Sequence, residues 1–544
     1  MIHLKRNRIF PAALLLTALT AFPTAAFAAP AVPKPQESLG ERPAREAAVE
    51  NDLPGAPARE DAVSFTLTAV NVETDGLRLD GERLAAIAAP FLHHPITGRE
   101  LGEMLTALSG YARESGYPAA AAYVPEQTAT EGRLLVRFLP GRVGQVKLEN
   151  ESRLSTPLAK GIAARVEPGA ILTDRDAETA LLLLDNLSGV RAAAALAPGE
   201  KPGETDLTLR LRDDKAFTGV VYAENYGSKS SGRYRYGLAM NLEDVGGTGG
   251  RLSAGTLISN HKQHAYSLSW EMPVGHSATR LGVGFSRSDY ELGSVFTELG
   301  AQGMSNTYSF YGETPLWQTS QTALAVTYGF DHREMRDEMN GFSWKKHSDA
   351  FHAGIEGMGR GDGNFLRYGA ELRAGTLTAG SDIAETLGQA GNTLGGFTKL
   401  SLDLTAIQSL GHSTDLMFKA QGQLANRNLD SSEQIYLGGA QGVRAYPHGE
   451  ASGDEGVLGT LELRYHTPLD GLTLSAYLDA GHVRLAKDGA AGSDTLKGWG
   501  IGVGYNCGGW FARLDYARRI GQGNYPSNDA RSRQRMWFLA GFRW

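Results

Sequence analysis

Arg444 and Asp479 are the residues whose types and settings promise the most specific chemistry. Arg444 lies in an apolar, aromatic stretch, Ile435-Tyr436-Leu437-Gly438-Gly439, followed by Gly442-Val443-Arg444-Ala445-Tyr446-Pro447. Asp479 lies in Tyr477-Leu478-Asp479-Ala480-Gly481. A guanidinium and a carboxylate meeting away from bulk water form an oriented, charge-assisted contact. That contact holds or releases a segment; it makes no bond. Covalent chemistry finds little support elsewhere. Cys507 is the one cysteine, and no catalytic His motif stands near it. His93-His94-Pro95 lacks a third metal ligand nearby and reads as a loop. The thirteen histidines are scattered without a recognisable Ser or Asp partner motif, and no Gly-x-x-x-x-Gly-Lys nucleotide loop occurs. No cofactor or metal is expected, and the chain reads as a non-enzyme. A net charge of −7 without a basic patch argues against nucleic acid as a partner.

The elements that must position this pair are strands. From Arg535 to Trp544 the residues alternate, with Met536, Phe538, Ala540, Phe542 and Trp544 on one face and Arg535, Trp537, Leu539, Gly541 and Arg543 on the other. About sixteen such segments recur between 217 and 544. Each has about the 9–11 residues of a tilted membrane-crossing strand. Among them are 306–314, 322–331, 349–357 and 365–374. Leu281, Val283 and Phe285 alternate with Arg280 and Gly282. Leu324, Val326, Tyr328 and Phe330 alternate with Thr327 and Asp331. Apolar residues outside and polar ones inside invert the soluble pattern, as lipid requires. Residues 215–544 therefore read as a transmembrane β-barrel of about sixteen antiparallel strands, with outer-membrane lipids as its solvent.

Short connections follow even-numbered strands, as at Pro273–Ala278, Thr467–Gly471 and Asn506–Gly509. Long ones follow odd strands, near 288–305, 332–348, 375–395, 425–454, 482–496 and 519–533. Long loops belong outside the cell and short turns in the periplasm. The longest, 425–454, carries the apolar stretch around Arg444, and the lumen is the surface available to it. Leu474, Ala476 and Leu478 face lipid, so Asp479 faces inward. On the following strand Gly498, Gly500, Gly502 and Gly504 face inward and leave a flat slot for a close approach. Two readings stay open on spacing alone. The loop folds in and Arg444 pairs with Asp479, or Arg444 is solvated and Asp479 lines a wet pore.

Before the barrel, residues 1–28 read as a signal peptide, with Lys5, Arg6 and Arg8, an apolar run, and Ala26-Phe27-Ala28 as the cleavage site. Residues 29–62 are rich in Pro, Ala, Glu and Arg. Ser38–Asn51 reads either as linker or as a polar helix, capped by Ser38, that plugs a pore. Residues 63–140 read strand, helix, helix, strand, strand, and 141–214 repeat that order, giving two small α+β domains with open sheet edges. Phe542 and Trp544 end the closing strand and are expected to form the signal read by the barrel assembly machinery.

Val443-Arg444-Ala445-Tyr446 resembles the Val-Arg-Gly-Tyr loop motif of the BamA-like outer-membrane superfamily. Gly438 to Gly456 resembles the two-partner secretion (TpsB-type) transporters of the ShlB/FhaC/HecB haemolysin secretion/activation family. Tyr477 to Gly481 resembles that superfamily's Phe-x-Asp-x-Gly wall motif. Gly116-Tyr117-Pro118, Tyr123 to Gln127 and Leu134 to Gly141 resemble its first POTRA domain, and Asn225-Tyr226-Gly227 its first barrel strand. The likeness spans about 63–544. Ala445 and Tyr477 depart from the motif Gly and Phe. The resemblance implies sixteen strands, two POTRA domains, an N-terminal plug helix and a loop–barrel lock of Val443, Arg444, Tyr446 and Asp479. It further implies an outer-membrane pore that secretes an unfolded TpsA-type partner protein, engaged through the POTRA domains, with the transporter acting as a monomer. A BamA-like insertase is the alternative that shares the loop motif.

Overall fold

This computed structural model describes residues 49–51, 65–127, 131–276, 279–319, 321–489, 492–521 and 532–544. The expected leader, and the expected plug up to residue 48, lie outside them.

The first α+β unit places Ala69–Glu73, Arg133–Leu139 and Ala121–Tyr123 in one sheet, in that order, under helices Gly81–Ala88 and Gly98–Glu114. The longer helix starts where the sequence caps it. Glu100 N–H donates to Thr97 Oγ1 at 3.3 Å, and Thr97 N–H donates to Glu100 Oε2 at 2.7 Å. Leu67, Leu84, Ile96, Met104, Leu108, Val136 and Phe138 fill the space between the layers. His94 spends both ring nitrogens on the carbonyls of Pro90 and Pro95, as a loop residue.

The second unit repeats the plan. Arg142–Asn150, Val190–Pro198 and Glu204–Asp213 form the sheet, and Thr156–Ala163 and Asp174–Asp185 are the helices. A further strand, Val49–Asn51, pairs parallel with Ala194–Leu196 on the sheet's edge. The helix expected over Ser38–Asn51 therefore does not reach its last three residues. A sheet edge offers unpaired backbone groups, and the chain satisfies them there.

The barrel closes sixteen strands: β1 (Phe217–Glu224), β2 (Arg235–Glu243), β3 (Arg251–Ser259), β4 (Gln263–Val274), β5 (Thr279–Glu291), β6 (Gln302–Gln318), β7 (Thr322–Met339), β8 (Phe342–Gly361), β9 (Asn364–Ala379), β10 (Gly395–Ser409), β11 (Thr414–Ala425), β12 (Glu455–His466), β13 (Leu472–Arg484), β14 (Ser493–Cys507), β15 (Trp510–Arg519) and β16 (Gln534–Arg543). Neighbours run antiparallel, and β16 closes on β1 with Val221 opposite Phe542. Trp499, Ile501, Val503 and Tyr505 are exposed to the lipid side.

One expectation fails on the outer side. The connection placed at 332–348 is not a loop. β7 and β8 continue to a two-residue turn at Asn340-Gly341, where φ is 53° and 78°. Paired positive φ values suit a tight hairpin. The misreading has a physical cause. Beyond the bilayer both strand faces meet water, so His332, Glu334, Arg336 and Glu338 replace the apolar face that marks a spanning strand. The connection at 375–395 likewise begins with the end of β9 and contains a helix, Asp382–Gly391, capped by Ser381.

The second unit is seated on the periplasmic turns. Ser155 N–H donates to Gly247 O at 2.8 Å, and Ser188 N–H to Gly249 O at 3.1 Å. Glu243 accepts from the Ser188 hydroxyl, from Thr218 Oγ1 at 3.0 Å and from Arg251 Nε at 3.0 Å.

The seam between β16 and β1 is held by backbone pairing and aromatics. Trp544 N–H donates to Gly219 O at 3.2 Å, its ring lies 6.0 Å from Phe217, and Phe542 lies 4.9 Å from Trp510. Deleting Phe542 to Trp544 removes the last pairs of this seam. The expected result is loss of the heat-modifiable barrel band on electrophoresis of outer membranes, checked against an unaltered level of transcript.

Candidate functional site

The loop 425–454 folds back inside the barrel and is an ordered hairpin. Ile435–Tyr436 pairs with Ser452–Gly453. Leu437 N–H donates to Ala451 O at 3.0 Å, and Val443 N–H to Leu437 O at 2.7 Å. Leu437, Val443, Ala445 and Tyr446 are buried with Leu458, Tyr477, Val483, Leu496 and Ala517 of the wall. Fully burying a side chain of Val or Leu size stabilises by about 1.5–3 kcal/mol. The loop thus brings its own apolar tip to an apolar patch of the lumen wall.

At that tip Arg444 meets Asp479. Arg444 Nη2 donates to Asp479 Oδ1 at 2.8 Å and Nε to Oδ2 at 2.9 Å, a two-pronged contact. The backbone N–H of Arg444 adds a third bond to Oδ2 at 3.1 Å. Arg444 is 4% exposed and Asp479 2%. The reading of a solvated arginine and a wet acidic wall is thereby set aside.

Sequence reasoning missed the rest of the cluster. Arg444 Nη1 also donates to Glu462 Oε2 at 2.9 Å and stands 3.6 Å from Asp515 Oδ1. Glu462 in turn accepts from Arg513 at 3.1 Å and Arg464 at 3.1 Å, and Arg513 Nε bonds Asp515 at 2.7 Å. Three guanidiniums face three carboxylates, with Lys419 beside them as a further cation. Thr460 Oγ1 donates to Asp479 Oδ1 at 2.9 Å. The Tyr477 ring lies beneath Arg444, with Cζ 3.1 Å from its centroid. Trp537 of the closing strand donates its indole N–H to Arg444 O at 2.7 Å. Arg519 donates to Ala445 O at 3.3 Å and covers the Tyr446 ring at 4.3 Å. The signal was present: on each of these strands the residue has inward parity. What parity lacks is height along the barrel.

The glycine slot divides. Gly498 receives the loop: a Cβ there would stand 2.6 Å from Ala445 Cβ and 3.6 Å from Val443 Cγ1. Gly500 instead makes room for the Tyr477 ring, and Gly502 for the Asp515 carboxylate and Ser475 hydroxyl. At Gly504 the nearest atoms stand 3.9 Å or more away. The expectation of four glycines facing the loop is corrected to one, because the loop tip enters only as deep as the Asp479 row. Ala445, where the motif has Gly, is absent from the residues with positive φ, so its methyl group meets no backbone strain.

A closed lipid-facing barrel, small α+β units at its periplasmic mouth, and an outer loop ion-paired inside the lumen define an outer-membrane transporter with POTRA domains. The chain belongs to the haemolysin secretion/activation family ShlB/FhaC/HecB. Residues 203–505 match that family, and residues 65–141 match its ShlB-type POTRA domain. Similar proteins include the heme/hemopexin transporter protein HuxB of Haemophilus influenzae, 26% identical over 83% of this chain and 83% of that protein. The outer membrane transporter CdiB of Dickeya dadantii is 23% identical over 83% of each chain. In architecture the structure is similar to CdiB from Escherichia coli, with a TM-score of 0.68 and 20% identity over 92% of this chain and 94% of that one. It also shares its fold with BamA from Haemophilus ducreyi lacking POTRA domains 1–3, at a TM-score of 0.53 and 14% identity over 88% of this chain and all of that one. The protein is a TpsB-type transporter of the Gram-negative outer membrane.

The contact between Gly498 and Ala445 yields a size-exchange test. Gly498→Ala should lower the midpoint of the heat-induced mobility shift in detergent, since overpacking costs about 1–3 kcal/mol. Adding Ala445→Gly to the same chain should return the midpoint toward that of the unaltered protein.

Proposed function

We propose that this transporter exports one large, unfolded partner protein and that the Arg444 loop is its gate. The observation that supports this most directly is the buried Arg444–Asp479 pair, which fastens the loop to the lumen wall by a contact that can be exchanged. An apolar plug of similar size would be as stable or more so. An ion pair costs little to break only when another polar partner replaces it, and a transiting polypeptide supplies such partners.

The cargo enters from the POTRA side. Among the described residues from 65 to 213, no large hydrophobic side chain is exposed. Recognition by an apolar patch is therefore disfavoured, and backbone pairing at a sheet edge is favoured. Ala69–Glu73 and Ala121–Tyr123 are the edge strands of the first sheet. In the second, Val49–Asn51 already covers the edge of Val190–Pro198. Arg142–Asn150 is its other edge, so among the described residues the first POTRA domain offers two edge strands to a cargo segment and the second offers one. With no ATP in the periplasm, the free energy of export comes from folding of the cargo outside. The segment before residue 49 is the candidate pore plug, the barrel assembly machinery reads the terminal Phe542 and Trp544, and the working unit is a monomer.

Two outcomes test this reading. Arg444→Ala leaves Asp479 without a cation, holding only Thr460 and the backbone N–H of residue 444, whereas Asp479→Ala leaves Arg444 its Glu462 contact. Stranding a buried charge costs about 3–5 kcal/mol. Arg444→Ala should therefore abolish cargo in the medium, and Asp479→Ala should reduce it less, while both barrels assemble. Wild-type secretion from both would defeat the gate. Separately, deleting residues 30–48 should raise ion conductance in planar bilayers, whereas unchanged conductance would leave that segment a linker.

A further inference from the structure

The loop is fastened twice, and the second fastening has the opposite polarity. Before the tip, Ser431–Glu433 forms a short 3-10 turn after Asp430. Glu433 is 5% exposed and faces a cationic row on β7, β9 and β10. Arg333 Nη1 donates to its Oε1 at 3.1 Å, Lys399 Nζ stands 3.0 Å from Oε2, and Arg373 Nε stands 3.7 Å from Oε2. The backbone is gripped as well. Lys399 Nζ and Gln423 Nε2 each donate to Glu433 O at 3.0 Å, and Arg333 Nη1 donates to Ser432 O at 3.3 Å. One residue row away, Lys346 Nζ donates to Asp430 Oδ2 at 2.7 Å. At the tip the loop is the cation and the wall the anion; at this root the loop is the anion and the wall the cation.

We infer that Glu433 is a second positioning residue of the gate, which tethers the loop's root to the β7–β10 wall independently of Arg444. This rests on the reading of the loop as a gate. The two anchors lie on different sectors of the wall, and they share no side chain. Releasing the tip alone then swings the loop about Ser431–Glu433 and keeps it within the barrel. Expulsion to the cell surface needs both contacts broken. Since the two charge patterns are opposite, a single cargo segment of one sign competes at one anchor and not at the other. That makes passage of cargo a reversible displacement of the tip.

A reagent too bulky to enter the lumen reads where the loop is. Gln441 lies exposed at the tip turn. Gln441→Cys in a Cys507→Ser background provides the reporter, labelled on intact cells with a polymer-linked maleimide. The expected result is slow labelling in the parent, in Arg444→Ala and in Glu433→Gln, and labelling many-fold faster in the double variant. Glu433→Asp in the Arg444→Ala background keeps the charge and should restore slow labelling, which a loss of shape alone would not do. Should Glu433→Gln fail to assemble, Arg333→Gln with Lys399→Gln removes the two nearer cations from the wall side and leaves Glu433 only Arg373 at 3.7 Å. Arg444→Ala labelling as fast as the double variant would overturn the inference, and so would a double variant as slow as the singles. No cargo is needed for this readout. Secretion measured on the same cells therefore fails or succeeds separately from it.

Discussion

In lipid no water is available to backbone N–H and C=O groups, so a spanning sheet must have no edge. That constraint generates most of this molecule. It demands that β16 find β1, which is why the seam carries both backbone pairing and the Phe217, Trp510, Phe542 and Trp544 rings. It also fixes parity. Once one face of each strand is given to lipid, every charged residue of the spanning segments must point into the lumen. Charges crowded there cannot be diluted by bulk solvent, so they are arranged in pairs, and a loop bearing the complementary charges has a place to bind.

The energetics of that binding decide what the loop is for. Burying an ion pair rarely stabilises more than burying apolar groups of the same volume. Had the lumen only to be sealed, Leu437, Val443 and Tyr446 extended by more of their kind would serve. Arg444 instead satisfies Asp479 and Glu462 at once, with Arg513 and Arg464 balancing the remaining acid. Asp479 has a guanidinium partner only while the loop is seated. With Arg444 withdrawn that carboxylate is left without its ion pair, which favours return of the loop or arrival of another cation. The seated and released states therefore differ in electrostatics as well as in apolar contact.

Parity explains both what the sequence revealed and what it hid. Asp479 could be placed inward because Leu474, Ala476 and Leu478 claim the lipid face, and the sixteen strands follow from the same alternation repeated. The alternation fails where its cause ends. Past the bilayer His332, Glu334, Arg336 and Glu338 occupy a face that no longer needs to be apolar, and two long strands looked like a loop. The partners of Arg444 were hidden for another reason. Glu462, Asp515 and Trp537 have inward parity, yet parity leaves the stagger between strands undetermined. Thr460 opposite Asp479, and Asp479 opposite Gly498, are facts of register. A short turn such as 467–471 sets the register of its own hairpin, but the cluster spans several hairpins. The same gap made four inward glycines look equivalent, when only Gly498 lies at the height of Ala445. The root anchor was harder still, because Glu433 and its cations come from opposite ends of long outer connections.

The seating of the second POTRA domain carries the constraint into the periplasm. Its contacts are with the turn after β2, where Asp244, Gly246, Gly247 and Gly249 all have positive φ. A turn held in that conformation has few alternatives, and Gly247 and Gly249 present carbonyls to Ser155 and Ser188 in a fixed direction. At Gly161 an added Cβ would stand 2.1 Å from the His276 ring, so helix and turn are already in contact. Attachment at this point fixes the angle of the second POTRA domain against the barrel mouth. In the lumen the loop is held by contacts of opposite sign at its tip and its root, inside a wall whose sixteen strands close on themselves.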